Sequence, residues 1–253
     1  MAISKEKLIQ YTLRIADNAL IIGQRLSEWC GHGPILEQDM AITNIALDQI
    51  GEARNLFQFI SSIDDKKRNE DEWAMKRHDW EYYNCLLVEQ ANGDWADTIV
   101  RQFIFDSFNF YFHQALAESK EETLAAIGAK SLKEVTYHLR WSSEWMLRIG
   151  DGTEESHKRA QRSLDFLWMY SGELLSNDDL ENELAKAGIG VDLNKIKDSV
   201  SNKQKEIIQK ATLTMPEVPN MQRGGKQGRH SEQFGFILSE LQYMQRTYPN
   251  MQW

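Results

Sequence analysis

The 253-residue sequence predicts an all-α fold, on three observations. Proline is scarce (4) and glycine modest (15), so little interrupts long helical stretches. Apolar residues recur at helical spacing through long segments, and no alternating run reads as a strand. The glycines that do occur gather with polar residues in short breaks, CGHGP, ANGD and GDGT, which divide the chain into about seven or eight helices.

Residues 5–29 form the first helix. It closes at CGHGP, where Gly31 and Gly33 permit positive φ and Pro34 stops one helix and opens the next. The second helix runs over 35–60. A polar connection, SSIDDKKRNEDE (61–72), leads to a third helical stretch over 72–89, which ANGD (91–94) breaks. The aromatic segment 96–119 is the next helix. After a turn in ESKEE, another covers 122–149 and ends at GDGT. Residues 154–176 are helical again, and 177–200 is acidic, then mixed, with Gly188 and Gly190 marking a loop. A helix near 196–212 precedes the irregular stretch TMPEVPNMQRGGKQGRH, and SEQFGFILSELQYMQRTY is the last helix, stopped by Pro249. The expected organisation is one domain over 1–253, with core hairpins at 5–60 and 96–149 and a C-terminal helical extension over 154–253.

Composition excludes several function classes. A hydrophobic content of 42%, with 8 Trp, 10 Phe and 8 Tyr, is that of a folded chain. The net charge is −9 and no basic run exceeds KKR at 66–68, which argues against unaided binding to nucleic acid. No apolar run is long enough to span a membrane. Cys30 and Cys85 are isolated, and the N-terminal MAISKEKLIQ lacks a signal-like apolar run, so both read as reduced thiols of a cytoplasmic protein.

Hairpin geometry singles out five residues. Paired helices bring to one level residues equidistant from the turn between them. Asp17 and Asp48 are centred on the CGHGP turn, and Asp106 and Glu134 on the ESKEE turn. His138 follows Glu134 by four residues on the same helix face. A di-iron carboxylate bundle asks for nearly this set: one Glu from each of two helices and Glu-x-x-His from each of the other two. The match fails at two histidine positions, since Gly51 stands three residues after Asp48 and Tyr137 three after Glu134. Metal sites tolerate only small errors in ligand placement. The expected outcome is a bundle whose metal centre has given way to a hydrogen-bonded and ion-paired polar knot.

Asp48 has a second reading, because it borders a polar wedge with Asn44, Gly51 and Asn55 that suits a solvent face. Asp106 sits in FIFDSFNFYF, where the surrounding aromatic residues leave no polar face, so its carboxylate needs a partner or a proton. Arg101, Arg140 and His138 are the candidate partners. His32 reads as a turn residue, and RGGKQGRHSE (223–232) as a structured loop capping the last helix rather than a phosphate loop. The aromatic load of 96–119, with Trp73, Trp80 and Trp95 nearby, predicts apolar surface for an obligate partner chain.

The blocks YTLRIADNALIIGQRLSEWCGHGPILEQDMAITNIALDQIGEARN, LLVEQANGDWADTIVRQF, KSLKEVTYHLRWSSEW, RIGDGT, GGKQGRHSE and LQYMQRTYPNMQW run in order from about residue 11 to the C-terminus. They resemble the family of C components of phenylacetyl-CoA 1,2-epoxidase. The resemblance implies a ferritin-like fold and a non-catalytic, structural role beside a catalytic A component that carries the di-iron centre. It further implies a small B component, a reductase supplying electrons from NADPH, and epoxidation of phenylacetyl-CoA in aerobic phenylacetate degradation. This chain would then hold no cofactor or metal of its own. The resemblance also implies contacts to the CoA thioester at Glu81, Tyr82, Tyr83 and Asn84, and a second patch at Asn182, Glu183 and Leu184. Two other readings stand beside it. One is a self-sufficient iron oxidase or oxygenase using Asp17, Asp48, Asp106, Glu134 and His138, and the other is a ferritin-like binding or storage protein.

Overall fold

The computed structural model describes residues 3–249 and Met251. Among them are ten α-helices and no strand. The all-α class expected from the sequence is what the protein adopts, in an arrangement of helical hairpins consistent with a ferritin-like fold. The chain forms two compact units: one holds residues 3–90 together with the segment from Gly224 onward, the other residues 91–223. The C-terminal extension anticipated as one block is therefore divided between them at Gly224.

The first unit is built on helices α1 (Lys5–Ser27) and α2 (Leu36–Ile63). Ser4 caps α1 by accepting from the Lys7 amide. In the CGHGP turn Gly31 has φ +79°, which favours glycine. The Gly33 amide donates to Asp39 Oδ2 at 2.9 Å, tying the turn to the first turn of α2. α1 is buried on almost every side from Tyr11 to Leu26. α2 buries Ile42, Ile45, Ala46, Leu56, Phe57 and Ile60 but leaves Leu36 (72% exposed), Met40 (57%) and Leu47 (60%) in solvent.

A short α3 (Glu70–Met75) follows, with a capping box between Asn69 and Glu72, and then a 3₁₀ turn at Asp79–Glu81. The long helix expected over 72–89 does not form. Its backbone donors go elsewhere: the Tyr83 amide donates to Asp17 Oδ2 at 2.8 Å and the Cys85 amide to Asn18 Oδ1 at 2.7 Å, both on α1. Side chains of another helix thus satisfy groups that would otherwise bond i−4 carbonyls. The segment from Gly224 returns to this unit through a second 3₁₀ turn (Gly225–Gln227) and ends in α9 (Glu232–Leu241) and α10 (Tyr243–Thr247).

The second unit holds α4 (Trp95–Leu116) and α5 (Glu122–Gly150), with α6 (Glu154–Leu167), α7 (Asp179–Ala187) and α8 (Leu193–Lys210) beside them. Asp94 and Asp97 make a capping box at the start of α4. Arg162 of α6 binds both carboxylates, at 3.0 and 3.1 Å. α4 is buried nearly all round, as its composition requires. Within the unit α5, α6 and α8 pack against it. A side chain on Gly128 of α5 would strike the backbone at Leu116–Ala117, so glycine there permits the tight hairpin.

The acidic stretch 177–200 is more ordered than expected. Asp178 and Glu181 form a capping box that starts α7, and Gly188 ends it in the left-handed conformation (φ 77°). The helix expected over 154–176 gives way after Leu167 to a 3₁₀ stretch, Trp168–Glu173. No helix among the described residues is long and apolar enough to cross a membrane.

Candidate functional site

Asp17 is fully buried on α1 and accepts three hydrogen bonds. Arg77 presents both terminal nitrogens to it, Nη1 at 3.0 Å from Oδ2 and Nη2 in a still shorter contact with Oδ1, and the Tyr83 amide supplies the third. Arg77 is itself buried. It donates to the carbonyls of Trp73 and Glu81, and its guanidinium lies 3.9 Å from the centre of the Tyr82 ring. Burial opposes its charge, but the Asp17 carboxylate outweighs burial and holds Arg77 above its ordinary range. This bidentate pair fixes the start of the 77–90 segment against α1.

Asp48 does not share that environment. It is half-buried on α2 with Gly51 and Asn55 while Asn44 is exposed, the disposition of the polar wedge. The buried carboxylate of α2 is Glu52, one helical turn later and 3% exposed, which the hairpin counting passed over.

In the second unit Asp106 is fully buried on α4. Gln102, one turn earlier, donates to its Oδ1 at 2.7 Å. Burial pushes its pKa up to about 6, against the opposing pull of His138 and the Ser142 hydroxyl on α5. Glu134, expected opposite Asp106, instead lies 3.9 Å from Lys130 on the same helix with its side chain 27% exposed. The groups that act on Asp106 thus stand four and eight residues beyond Glu134. Of the other candidate partners, Arg101 reaches Asn92 at 2.6 Å, and exposed Arg140 lies 5.6 Å from the Tyr137 ring.

The five residues singled out by hairpin counting therefore occupy separate settings: an ion pair at Asp17, a partly solvated wedge at Asp48, a buried knot at Asp106 and His138, and a surface pair at Glu134. Among the described residues no three His, Cys, Asp or Glu side chains come together as a metal-ligating group. Asp17, already saturated by Arg77 and an amide, does not fit the role of an iron ligand.

The residues implied as thioester contacts also divide. Tyr82 is buried, its hydroxyl donating to the Ala74 carbonyl at 2.8 Å. Asn84 is buried and donates to Glu89 Oε2 at 2.9 Å. Leu184 is buried in α7, whereas Asn182 is exposed and Glu183 half-buried. The side chains of Tyr82, Asn84 and Leu184 are thus committed to the interior. Glu81 and Tyr83 line an open cleft of about 410 Å³, with Lys5, Gln10, Lys66 and Arg68 among its other walls. Four carboxylates (Glu6, Asp64, Asp65, Glu81) face four cations (Lys5, Lys66, Arg68, Arg77) in that lining, so its formal charge sums to zero. Arg68 holds Asp64 down at about 2 through a 2.8 Å hydrogen bond, and Lys5 pairs with Asp65 at 2.7 Å.

Sequence reasoning missed Arg77, Glu89 and His230. Glu89 is fully buried and takes donors from Asn84, from the Ser231 amide at 2.6 Å and from His230 at 2.8 Å. The glycines of RGGKQGRHSE were the available signal. A side chain on Gly225 would collide with the Asn84 carbonyl, and one on Gly228 with that of Trp80. As anticipated, the loop is structured and leads into α9 with Ser231 at the cap position.

Comparison with known proteins adds the family. Residues 2–253 match the family model described as phenylacetic acid catabolic protein. The chain is 41% identical over 247 residues, covering 98% of this chain and 99% of the relative, to the C component of the 1,2-phenylacetyl-CoA epoxidase of Escherichia coli (strain K12).

Proposed function

Because the chain belongs to the phenylacetic acid catabolic protein family, we propose that it serves as the C component of a phenylacetyl-CoA 1,2-epoxidase. In this reading it is a structural component that supports a catalytic A component and performs no oxidation itself. Similarity over nearly the whole length of both chains supports membership in such an assembly. One observation carries the supporting role: Asp17, the first carboxylate a di-iron reading would need, is engaged by the Arg77 guanidinium and the Tyr83 amide. Gly51 and Tyr137, which stand where the two histidines would be, point the same way.

The iron of the reaction then belongs to the catalytic A component, and electrons from NADPH arrive through a separate reductase, with the small B component completing the complex in the cytoplasm. If the CoA thioester touches this chain, Glu81 and Tyr83 in the cleft and Asn182 and Glu183 on α7 are the side chains open to it. The experiment is to purify the A and B components and the reductase with and without this chain and to assay epoxidation of phenylacetyl-CoA. Turnover should require the chain. Full turnover without it, or oxidation by the isolated chain after Fe(II) loading, overturns the assignment.

A further inference from the structure

We propose that the loop 224–231 is latched onto the 82–89 segment by His230 in its imidazolium form, and that the latch opens as pH rises. The geometry leaves a neutral ring short of one proton. Nδ1 lies 2.8 Å from Glu89 Oε2 and Nε2 lies 3.0 Å from the Tyr82 carbonyl oxygen. A carbonyl only accepts, and a neutral imidazole carries one N–H, so it satisfies one of these contacts and turns a lone pair toward the other. Both Glu89 oxygens act as acceptors, from Asn84 (2.9 Å) and from the Ser231 amide (2.6 Å), so the ring is the donor that completes the Nδ1 contact.

Solvent offers little help, since the His230 side chain is 5% exposed and its ring stacks on Phe234 at 4.1 Å. Charged groups surround the pair from each neighbouring element. From α1, Asp17 favours the cation, and Arg25 donates to the Glu89 and Gln233 carbonyls. Arg14, also on α1, donates to the Lys226 carbonyl of the same loop. Arg77 stacks on the ring of Tyr82, whose phenol burial raises to about 12, so that it stays neutral. Burial lowers the pKa of His230, but Glu89, the Tyr82 carbonyl and Asp17 together outweigh burial and raise it above the ordinary value. A folded-state pKa above the unfolded one means that the latch contributes fully below the ordinary histidine range, and that this contribution is lost as pH climbs through the raised value. The latch rests on this geometry and is independent of the role proposed for the chain.

The test is a pH titration of the imidazole nitrogens of the full chain by long-range ¹H–¹⁵N NMR, with His230→Gln identifying the signal among the six histidines. At mildly acidic pH both ring nitrogens of His230 should be protonated, with a midpoint above roughly 6.5, the value of an unperturbed histidine. Glu89→Gln should lower that midpoint. Amide exchange in 82–90 and 224–231, corrected for intrinsic base catalysis, should step upward through the same midpoint in the native chain and show no step in His230→Gln. A single protonated nitrogen at mildly acidic pH, a midpoint at or below the ordinary value, or the same exchange step in His230→Gln overturns the proposal. Should His230→Gln fail to fold, the native midpoint and its response to Glu89→Gln decide the matter.

Discussion

Two buried carboxylates show how surroundings set what an aspartate does. Asp17 meets a guanidinium and an amide, so its role is structural. Replacing it by alanine strands the buried Arg77 cation, and unfolding in urea should show a loss of about 3–5 kcal/mol. Arg77→Met together with Asp17→Leu should cost less than the sum of the single changes, because neither charge is then left alone. Asp106 meets His138 and Ser142, but burial outweighs them, and it behaves otherwise. Its pKa rises from the ordinary 3.8 to about 6 on folding, so the native state binds the extra proton, and stability falls as pH climbs between those values. The accumulated loss should be about 2 kcal/mol in urea melts taken from roughly pH 4 to 6.5, and Asp106→Asn should remove that slope. An unchanged slope in the variant would place the titration elsewhere. The burial of Asp106 was legible in its aromatic neighbours, whereas its partners were not. Gln102 sits on the same helix one turn back, and His138 and Ser142 lie beyond the level that counting from the turn picks out.

Among the elements, the long helices could be read directly, because their apolar spacing and glycine-marked ends are local signals. Expected hairpins over 5–60 and 96–149 correspond to α1–α2 and α4–α5 within a few residues. The stretch 72–89 misled because it is as aromatic as a core helix, while the feature that unravels it is non-local: Asp17 and Asn18 on α1 take the amides of Tyr83 and Cys85. Two glycines make the local and non-local cases separable by one kind of substitution. Gly51 lies inside α2 with open space where a Cβ would sit, so Gly51→Ala should stabilise the protein by about 1 kcal/mol through helix propensity. Gly225 rests against the Asn84 carbonyl, and Gly225→Ala should destabilise by about 1–3 kcal/mol through overpacking. Thermal melts of the two variants should move in opposite directions. A drop for Gly51→Ala would mean that a side chain there strains α2 despite the open space around it.

Across the whole molecule, the sequence signalled apolar surface but misplaced most of it. α4 needed cover on every side, and within its unit α5, α6 and α8 pack against it. Trp73 is buried beneath Arg68, and Trp95 meets Trp141 and Trp145 edge to face, so neither contributes a large open face. Trp80 is exposed as the sequence suggested, and among the described residues the other exposed apolar side chains include Leu36, Met40 and Leu47 of α2, Phe166 of α6, and Phe236, Tyr243 and Met244 near the C-terminus. Composition reports how much apolar surface a chain carries but not which elements cover it, and that depends on packing between residues far apart in sequence.

Iron, too, is a property of the molecule as a whole, because a centre in one chain or another distinguishes a self-sufficient oxygenase from a component of one. A di-iron site needs four carboxylates and two imidazoles converging on one point. In this chain the candidate carboxylates are taken up by a guanidinium, a solvated wedge, a buried glutamine contact and a lysine. Anaerobic loading with Fe(II), followed by elemental analysis, should therefore find well under one iron per isolated chain, while the complex with the catalytic A component should carry its iron in that partner. Sedimentation of the mixed chains checks that the complex formed before the metal is counted. Two irons retained by the isolated chain, and lost on Asp106→Ala, would show that the helices can converge their carboxylates after all and would return the chain to the oxidase class.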